Sequence, residues 1–570
     1  MNKHEENKDF KPVRPGTDFG KRRARARPKG RQVEPEALKE IRKLLGSAPR
    51  RRDLLIEYLH LVQDNYGHIS ARHLAALAHD MRLPMAEVYE VATFYHHFDV
   101  VKEGDAVPAE ITIRVCDSLS CALAGAEPLI AALKTKAPGY VRVVHAPCMG
   151  RCHCAPAAAV GKNYIDRAET GMLLRLAKNR AIKPEAPSYV SLADYVKAQG
   201  YETIAALHKG EKAAEAVIET LGEAGLRGLG GAGFPSGKKW QFVLAGAAPR
   251  YLCINGDEGE PGTFKDKHYL ESNPHQFLEG VLIAAWGVDA AEAYIYLRDE
   301  YPAARDILRR EIATLEREGI APRGFIHLRR GAGAYICGEE SAMIESIEGK
   351  RGFPRHRPPY VAQVGLFGRP TLVHNVETVY WMPEILRKGA AWFAEQGKTG
   401  HKGLRSYSVS GRVKRPGVIV APAGSTANEL IALCGGMAEG HGFKAYLPGG
   451  ASGGILPGGM ADLPLDFGQL EKYGCFVGSH AVVILSDKDD MRAVAVNLLK
   501  FFADESCGQC TPCRVGCEKA VKLMAEPNWD KSLLSELSQV MADASICGLG
   551  QAAPNPIRAV MKFFPEDLRR

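Results

Sequence analysis

Ten of the fourteen cysteines in this 570-residue chain fall into two short segments, one between residues 116 and 154 and the other between residues 507 and 547. The N-terminus lacks the apolar core of a secretion signal, so we expect reduced thiols and not a disulfide framework. Grouped thiols in such a chain are typical of metal or iron–sulfur ligation. The remaining four cysteines are scattered and are expected to be small buried hydrophobic residues: Cys253, Cys337, Cys434 and Cys475.

The C-terminal group has the spacing Cys507-x2-Cys510-x2-Cys513, with Cys547 further along the chain. Three thiolates spaced in this way can hold three corners of a [4Fe–4S] cubane, and a more distant cysteine closes it. Cys517 extends the run to a ferredoxin-like spacing, so spacing alone leaves Cys517 and Cys547 as alternatives for the fourth ligand. Zinc is the alternative metal, although zinc sites more often use two separated cysteine pairs.

The N-terminal group consists of two pairs, Cys116-x4-Cys121 and Cys148-x3-Cys152. Two pairs suit a [2Fe–2S] rhomb because each pair holds one iron. Zinc uses overlapping spacings and is an alternative here too. A histidine and a further cysteine directly follow Cys152, which leaves the identity of the fourth ligand open.

A glycine-rich segment over residues 225–240 contains the spacing Gly228-x-Gly230-x-x-Gly233. The same spacing occurs in the dinucleotide-binding turn of Rossmann folds, but that turn directly follows a strand. Residues 219–226 have the pattern of a helix end, so we reject the Rossmann interpretation. What remains is a loop whose backbone N–H groups can approach a phosphate or a flat ring, with Lys238 or Lys239 to meet negative charge. A flexible loop is the alternative.

Two acidic turns, at residues 255–261 and 331–340, each follow a predicted strand and contain several glycines. Carboxylates beside such turns can hydrogen-bond ribose hydroxyls and a carboxamide. Solvated loops or a metal site are equally compatible with these residues when they are considered alone.

The order of predicted elements indicates several domains, since 570 residues are too many for one core. Helices are predicted over residues 35–100, followed by a strand–helix–strand unit at 111–145. Strands and helices then alternate to about residue 400, a β region rich in glycine and proline covers 405–485, and helices return from Asp490. The predicted fold class is therefore multidomain α/β and α+β.

Charge and hydropathy argue against several other classes of protein. Residues 1–33 hold 11 Lys and Arg against 4 Asp and Glu, so most of the net charge of +8 belongs to this tail. A solvated, disordered arm is expected, and nucleic-acid binding is not, because no aromatic residues alternate with the basic run at 21–27. No stretch of about 18 apolar residues occurs, so we expect no membrane span and a cytoplasmic location.

Taken together, these motifs resemble the NADH-oxidising flavoprotein subunit of respiratory complex I over about residues 215–570. Residues 35–180 resemble its smaller [2Fe–2S] partner, a thioredoxin-like ferredoxin, here fused in front. This fusion and the stretch from Ser545 to Pro556 are most similar to the β subunit of NAD-dependent molybdenum or tungsten formate dehydrogenases.

The resemblance implies five regions with different roles. They are a basic disordered tail at 1–34, a helical plus thioredoxin-like [2Fe–2S] domain at 35–185, an FMN- and NAD-binding α/β domain at 186–400, a small β-grasp-like domain at 401–489 and a helical [4Fe–4S] domain at 490–570.

The resemblance also implies the residues of each cofactor site. FMN would contact Gly228, Gly230, Gly231, Lys239, Asn255, Asp257, Gly338, Glu339, Asn375 and Thr378, and NAD(H) would contact Phe234, Phe242, Glu260, Tyr335, Glu340, Arg357 and Tyr360. It favours Cys547 as the fourth cubane ligand, because relatives commonly have a non-ligand where Cys517 stands. Four positions depart from the residues common in the family: Leu229, Gly259, Arg357 and Tyr360. These departures bear on affinity for the cofactors more than on function.

The implied activity is exchange of a hydride between NAD(H) and FMN, with passage of single electrons through iron–sulfur clusters. The [4Fe–4S] cluster is expected on that route, and the sequence leaves open whether the [2Fe–2S] cluster lies on the route or beside it. Glu260 and Glu340 are the catalytic candidates at the nicotinamide end. The implied partner is a molybdenum- or tungsten-pterin formate dehydrogenase α subunit that carries further iron–sulfur clusters. Two enzymatic alternatives are the diaphorase subunit of an NAD-reducing hydrogenase and a fused NADH-dehydrogenase subunit of complex I. A non-enzymatic iron–sulfur scaffold is the alternative of another class, and the glycine loop and acidic turns argue against it.

Overall fold

The computed structural model describes residues 31–568. The basic tail predicted for residues 1–34 lies outside this range except for its last four residues. Four β-sheets occur within the described range, one of two strands, two of four strands and one of five strands. None of the helices in that range is both long enough and apolar enough to span a bilayer.

The N-terminal region is helical, as predicted. It contains α1 (Pro35–Leu45), α2 (Leu55–Tyr66), α3 (Ala71–Met81) and α4 (Met85–Phe94), with a 3₁₀ turn at Arg52–Leu54 and the paired strands β1 (Ile69–Ser70) and β2 (Val100–Val101). In α1 the apolar residues Ala37, Ile41 and Leu45 recur at every fourth position and are all buried, so they form one packing face. The side chain of Ser70 accepts the backbone N–H of His73 and caps α3.

Residues 111–178 form an α/β unit around a four-stranded sheet. Its elements are β3 (Ile111–Cys116), α5 (Leu119–Leu123), α6 (Ala126–Lys136), β4 (Val141–Ala146), a 3₁₀ turn at Cys152–Cys154, β5 (Ala158–Val160), β6 (Asn163–Ile165) and α7 (Thr170–Lys178). The strand order is β4-β3-β5-β6, with only β3 and β4 parallel. Cys116 ends β3. Cys121 lies in α5, because residues 119–123 are mostly good helix formers.

The central domain contains a parallel four-stranded sheet covered by helices. Its elements are α8 (Leu192–Lys197), α9 (Glu202–His208), α10 (Ala214–Glu223), α11 (Ser236–Leu244), β7 (Arg250–Gly256), α12 (Lys265–Ser272), α13 (Pro274–Gly287), β8 (Ala290–Leu297), α14 (Pro302–Arg317), β9 (Ile326–Arg330), a 3₁₀ turn at Tyr335–Gly338, α15 (Glu340–Ile347), a 3₁₀ turn at Leu366–Gly368, β10 (Thr371–Asn375), α16 (Val376–Tyr380), α17 (Met382–Lys388) and α18 (Ala390–Ala394). The strand order is β10-β7-β8-β9, and all neighbours are parallel.

The parallel sheet determines where the functional segments lie. Because the carboxyl ends of parallel strands meet at one edge, the segments that follow β7, β8, β9 and β10 are neighbours. The glycine-rich segment connects α10 to α11 and follows a helix, so the rejection of a Rossmann turn is confirmed.

Residues 404–486 form a small mixed sheet. Its elements are β11 (Leu404–Gly411), β12 (Gly417–Pro422), α19 (Ala427–Leu433), β13 (Phe443–Leu447), β14 (Leu456–Pro457) and β15 (Ala481–Ser486), with 3₁₀ turns at Ala451–Gly453, Gly458–Met460 and Glu471–Tyr473. The order is β12-β11-β15-β13-β14, in which only β11 and β15 are parallel.

The remaining described residues are helical. They form α20 (Met491–Asp504), α21 (Thr511–Ala525), α22 (Lys531–Ala544), α23 (Gly548–Ala552) and α24 (Asn555–Phe563). The predicted multidomain α/β and α+β fold class is confirmed. The domain boundaries given above stay predictions.

Ion pairs join the N-terminal helices to the central sheet. At the end of β9, Arg329 contacts Asp53 at 2.7 Å, and Arg330 contacts Asp64 at 2.7 Å and Asp299 at 2.5 Å. Both arginines are buried, and removal of one partner of a buried pair typically costs about 3–5 kcal/mol. These contacts hold the N-terminal region against the sheet, while residues 179–191 connect α7 to α8.

Gly280 provides a test of helix packing in the central domain. A Cβ atom on this residue of α13 would overlap the carbonyl oxygen of Val379 in α16. We expect Gly280→Ala to lower the thermal unfolding midpoint, because overpacking costs about 1–3 kcal/mol. Gly222→Ala in α10 is the matched control, since no described atom lies within 4 Å of its Cβ position, and it should leave the midpoint unchanged or slightly raised. Equal midpoints for the two variants would contradict the packing of α13 against α16.

Candidate functional site

A cavity of about 2150 Å³ opens at the carboxyl edge of the parallel sheet. Its walls come from the central domain, the small β domain and the C-terminal helices. All residues predicted for FMN and NAD(H) line it except Thr378; they are Gly228, Gly230, Gly231, Phe234, Lys239, Phe242, Asn255, Asp257, Glu260, Tyr335, Gly338, Glu339, Glu340, Arg357, Tyr360 and Asn375. The structure therefore brings together residues that are up to about 150 positions apart in the chain.

The glycine loop closely approaches the end of β10. A Cβ atom on Gly230 would lie 3.1 Å from the Cβ of Asn375, so a side chain here would push the loop away. Thr378 in α16 is fully buried, and its hydroxyl accepts the backbone N–H of Leu229 at 2.9 Å. Thr378 therefore holds the loop from outside the cavity wall.

Charged residues at one end of the cavity are already paired. Lys239 donates to the carbonyl of Val373 at 3.2 Å, and its Nζ lies 4.0 Å from Glu340 Oε2. Burial lowers the pKa of Lys239 from its usual value. Arg357 contacts Glu340 at 2.9 Å and also pairs with Glu339. Two basic side chains, Lys239 and Arg357, face two acidic ones, Glu339 and Glu340. This end of the cavity therefore offers a nucleotide both hydrogen-bond donors and acceptors.

Glu260 is held by two domains. Its Oε1 accepts the backbone N–H and the hydroxyl of Ser452, both at 2.7 Å, and its Oε2 accepts the hydroxyl of Tyr335. A Cβ atom on Gly450 would lie 2.6 Å from the Cγ of Glu260, so the small β domain can approach only with glycine there. Burial raises the pKa of the Glu260 carboxyl, while the bonds from Ser452 and Tyr335 oppose this rise. The carboxylate is thus fixed in position before any ligand binds.

The wall has features that fit a flavin and a nicotinamide nucleotide. Asp257 Oδ2 is buried without a hydrogen-bond partner among residues 31–568, and burial raises the pKa of Asp257 well above its usual range. Such an atom calls for a hydrogen-bond partner, and a ligand or a bound water in the cavity can provide it. No described atom lies within 4 Å of the Cβ position of Gly231, and the rings of Phe234 and Phe242 are 41% and 57% exposed. The wall therefore offers polar atoms for an imide or carboxamide and faces for flat rings.

The four thiols of the N-terminal group converge beside the central domain. Cys116, Cys121, Cys148 and Cys152 are each between 1% and 5% exposed. Cys148 Sγ lies 3.3 Å from Cys152 Sγ, and no disulfide joins them. Hydrogen bonds from the thiols of Cys116 and Cys152 lower the pKa of Cys148 well below its usual range. Four interacting thiols, two from each predicted pair, fit a centre with paired irons.

The thiols of the C-terminal group surround the starts of two helices. Cys510 and Cys513 lie at the start of α21, Cys507 just before them, and Cys547 is the N-cap residue of α23. Burial raises the pKa of the Cys547 thiol to about 12, and the backbone N–H groups at the start of α23 oppose this rise. Cys517 is fully buried in α21 within the apolar core of the helical domain. This arrangement supports Cys547 as the fourth ligand, which stays a prediction.

The spacing of the sulfur atoms argues against zinc at both groups. A tetrahedral zinc site with Zn–S bonds of about 2.3 Å brings its sulfurs within about 4 Å of one another. Between residues 31 and 568, the one set of three or more His, Cys, Asp or Glu ligand atoms within 4.8 Å is Asp117, Glu127 and His145. The Sγ atoms of Cys148 and Cys152 are only 3.3 Å apart, but within residues 31–568 no three Sγ atoms of either group lie within 4.8 Å of one another, which fits an iron–sulfur cluster better than a single zinc ion.

Several wall residues were not predicted from the sequence. The small β domain contributes Phe467 and Phe476, and the central domain contributes Lys265 and His374. Cys547, which was predicted as a cluster ligand, lies in the same wall. The two phenylalanines reach the cavity only through tertiary packing, so they carried no local signal. Lys265 follows the first acidic turn within a few residues, and that proximity was the available signal.

A buried arginine connects the [2Fe–2S] loop, which we define as residues 147–151 between β4 and Cys152, to the cavity. Arg298 follows β8 and is 4% exposed. Its Nη2 donates to the carbonyl of Cys148 at 2.7 Å and to Glu300 Oε1 at 2.9 Å, while its Nη1 donates to the carbonyl of Glu258. Glu258 lines the cavity, so one guanidinium contacts both predicted redox sites.

Four protein-family models match the chain in the order of its regions. They describe a thioredoxin-like [2Fe–2S] ferredoxin over residues 41–180, a Nuo51 FMN-binding domain over 221–384, an SLBB domain over 406–456 and an NADH-ubiquinone oxidoreductase-F iron–sulfur binding region over 493–570. The fold and the site together define an electron-transfer flavoprotein that uses FMN, NAD(H), a [2Fe–2S] and a [4Fe–4S] cluster.

Similar proteins narrow this class. The F 2 subunit of NADH-quinone oxidoreductase in Rhizobium meliloti is 40% identical over 67% of this chain and 94% of its own length. The corresponding NADH-quinone oxidoreductase subunit of Aquifex aeolicus is 40% identical over 71% of this chain and 96% of its own length. The chain belongs to this family of NADH-oxidising flavoprotein subunits. A solved structure of an NAD⁺-reducing [NiFe]-hydrogenase, in its air-oxidized state, matches 92% of this chain and 94% of its own chain, with a TM-score of 0.80 and 31% identity.

Replacement of Cys547 tests the fourth cubane ligand. Cys547→Ser should remove or convert the [4Fe–4S] EPR signal of the reduced chain, whereas the matched control Cys517→Ser should retain it. The unaltered chain should contain about six irons, from one [4Fe–4S] and one [2Fe–2S] cluster. The reverse EPR pattern would move the assignment to Cys517, and stoichiometric zinc with little iron would contradict both cluster sites.

Replacement of Thr378 tests how the glycine loop is held. Thr378→Val removes the acceptor of the Leu229 N–H and leaves that donor buried and unpaired, at a cost of about 1–3 kcal/mol. We expect FMN to dissociate more readily, by roughly five- to a hundredfold in its dissociation constant, although Thr378 does not line the cavity. Thr378→Ser keeps the hydroxyl and should bind FMN as the unaltered chain does. Equal FMN affinity in the valine variant would show that the loop does not depend on this bond.

Proposed function

We propose that this chain is the β subunit of a cytoplasmic NAD-dependent formate dehydrogenase. In this role it passes electrons from formate oxidation in a partner subunit through iron–sulfur clusters and FMN to NAD⁺, and the process is reversible. The coarser assignment, an electron-transfer subunit of the NADH-oxidising flavoprotein family, follows from the family membership.

The observation that carries the proposal is the shared wall of the cavity. Residues predicted for FMN and NAD(H) line it together with Cys547, a predicted cluster ligand. FMN held in this cavity would supply hydride exchange with nicotinamide and the release of single electrons. The glycine loop and Asn375 form one side, while Glu260 stands fixed by Ser452 and Tyr335 on another. These residues bind and orient; no side chain has to act as an acid or base in a hydride exchange.

Sequence similarity supports formate dehydrogenase as the particular enzyme. The stretch from Ser545 to Pro556 and the fusion of the ferredoxin domain in front of the flavin domain resemble β subunits of molybdenum or tungsten formate dehydrogenases. Several residues of this stretch line the cavity. The motifs found in the chain are all accounted for by flavin, NAD(H) and the clusters, so formate would react on a pterin–metal α subunit that carries further clusters.

A hydrogenase diaphorase is the second candidate. The solved NAD⁺-reducing [NiFe]-hydrogenase chain matches 92% of this chain, including its ferredoxin part. The two NADH-quinone oxidoreductase relatives cover a smaller share, 67% and 71% of this chain, because they match one part of the fusion. This coverage favours an NAD-linked enzyme with a fused subunit, in which the partner determines the substrate.

Activity measurements with and without partners test the proposal. The isolated chain, loaded with FMN and clusters, should reduce ferricyanide with NADH and should form no NADH from formate and NAD⁺. Addition of a molybdenum- or tungsten-pterin α subunit should produce formate-dependent NADH. The matched arm replaces that subunit and formate by a [NiFe] subunit and H₂. NADH formation only with the [NiFe] subunit and H₂ would identify the chain as a hydrogenase diaphorase and not as a formate dehydrogenase subunit. Formate oxidation by the isolated chain would contradict the proposal that formate reacts on a partner subunit.

A further inference from the structure

The [2Fe–2S] loop contacts the central domain through a buried positive charge. Arg298 stands at the carboxyl edge of the sheet, directly after β8, and its guanidinium is almost fully enclosed. The Nη2 atom donates to the carbonyl oxygen of Cys148 at 2.7 Å. Cys148 is one of the four predicted [2Fe–2S] ligands. The guanidinium of Arg298 is therefore hydrogen-bonded to the backbone of a residue whose thiol would bind the cluster.

The same guanidinium also contacts the flavin cavity. Its Nη1 donates to the carbonyl of Glu258, which lies between Asp257 and Gly259 in the cavity wall. Glu300 accepts from Nε at 3.1 Å and from Nη2 at 2.9 Å, so four of the five guanidinium N–H groups have a partner. Nη2 therefore donates to both the Cys148 carbonyl and the Glu300 carboxylate, and the group that contacts the [2Fe–2S] loop is the positively charged one.

Reduction of an iron–sulfur cluster adds one negative charge to it. A fixed cation in a buried, low-dielectric environment stabilises the reduced state more than the oxidised state. Arginine is suited to this role because its guanidinium keeps its charge at any accessible pH and has several donors in a rigid plane. An N–H that donates to the backbone of a ligand acts in the same direction, by withdrawing electron density from the site.

We propose that Arg298 is a positioning residue that raises the reduction potential of the [2Fe–2S] cluster and couples it electrostatically to the flavin cavity. A [2Fe–2S] cluster held there would gain one negative charge on reduction, and that charge would lie beside a cation that also contacts the flavin wall. This inference rests on a [2Fe–2S] cluster bound at Cys116, Cys121, Cys148 and Cys152, and it is independent of which partner subunit the chain has.

The test is an EPR-monitored redox titration of the full chain with both clusters. Arg298→Met should shift the midpoint potential of the [2Fe–2S] signal to lower values and leave that of the [4Fe–4S] signal in the same sample unchanged. Arg298→Lys keeps a charge but loses the planar set of donors, so it should show a smaller shift in the same direction. Spectra of the oxidised clusters check that both are present in each variant.

Tyr301→Phe is the matched control for loosening of the same interface. Tyr301 donates to the carboxylate of Glu258 at 2.8 Å and packs against Gly150 of the cluster loop, but it carries no charge. We expect its [2Fe–2S] potential to equal that of the unaltered chain. Should the unpaired Glu300 keep Arg298→Met from folding, the double variant Arg298→Met/Glu300→Gln removes both charges, still lacks the donor to Cys148, and should show the downward shift.

Three results would overturn the proposal. They are an unshifted [2Fe–2S] potential in Arg298→Met or in the double variant, an equal shift of both clusters, and a shift in Tyr301→Phe as large as that in Arg298→Met. Absence of any [2Fe–2S] signal from the unaltered chain would instead reject the ligand assignment, so the two failures are distinguishable.

Discussion

The functional part of the molecule depends on the meeting of four parallel strand ends. Four segments from distant parts of the chain lie at these strand ends. They are the first acidic turn after β7, Arg298 after β8, the second acidic turn after β9 and Asn375 at the end of β10. Parallel pairing brings them to one edge, because every strand of such a sheet finishes on the same side. The sheet supplies no reactive group itself, and it determines which loops can act together.

The small β domain and the C-terminal helices form the remaining walls of the cavity. The small β domain supplies Ser452 to hold Glu260 and adds Phe467 to the wall, while the C-terminal helices bring Cys547 to the same cavity. Closure of the site from three directions means that its geometry depends on the docking of whole domains. Gly450 illustrates this, since a Cβ atom there would lie 2.6 Å from the Cγ of Glu260 and either the side chain or the small β domain would have to shift.

The parts of the site that could be predicted from the sequence are those with a local signal. Cysteine spacing indicated both groups of thiols, and the glycine-rich segment was recognised as a binding loop without a preceding strand, because each cysteine pair, the Cys507–Cys513 triplet and the glycine spacing lie within a few residues. Phe467 and Phe476 could not be predicted, since only tertiary packing of the small sheet brings them to the cavity. The position of Thr378 behind the glycine loop depends on tertiary packing. The helix that contains Cys121 depends on local helix propensity, which the cysteine spacing does not indicate.

Residues 179–191 make the ferredoxin region and the flavin domain one covalent body. Where two separate polypeptides form such an interface, its occupancy depends on their concentrations, and dilution empties it. A short tether replaces that dependence by a constant effective concentration, typically about millimolar. The [2Fe–2S] region of this chain is therefore expected to stay against the flavin domain at any expression level, and its loss would require unfolding or cleavage of the chain rather than dissociation.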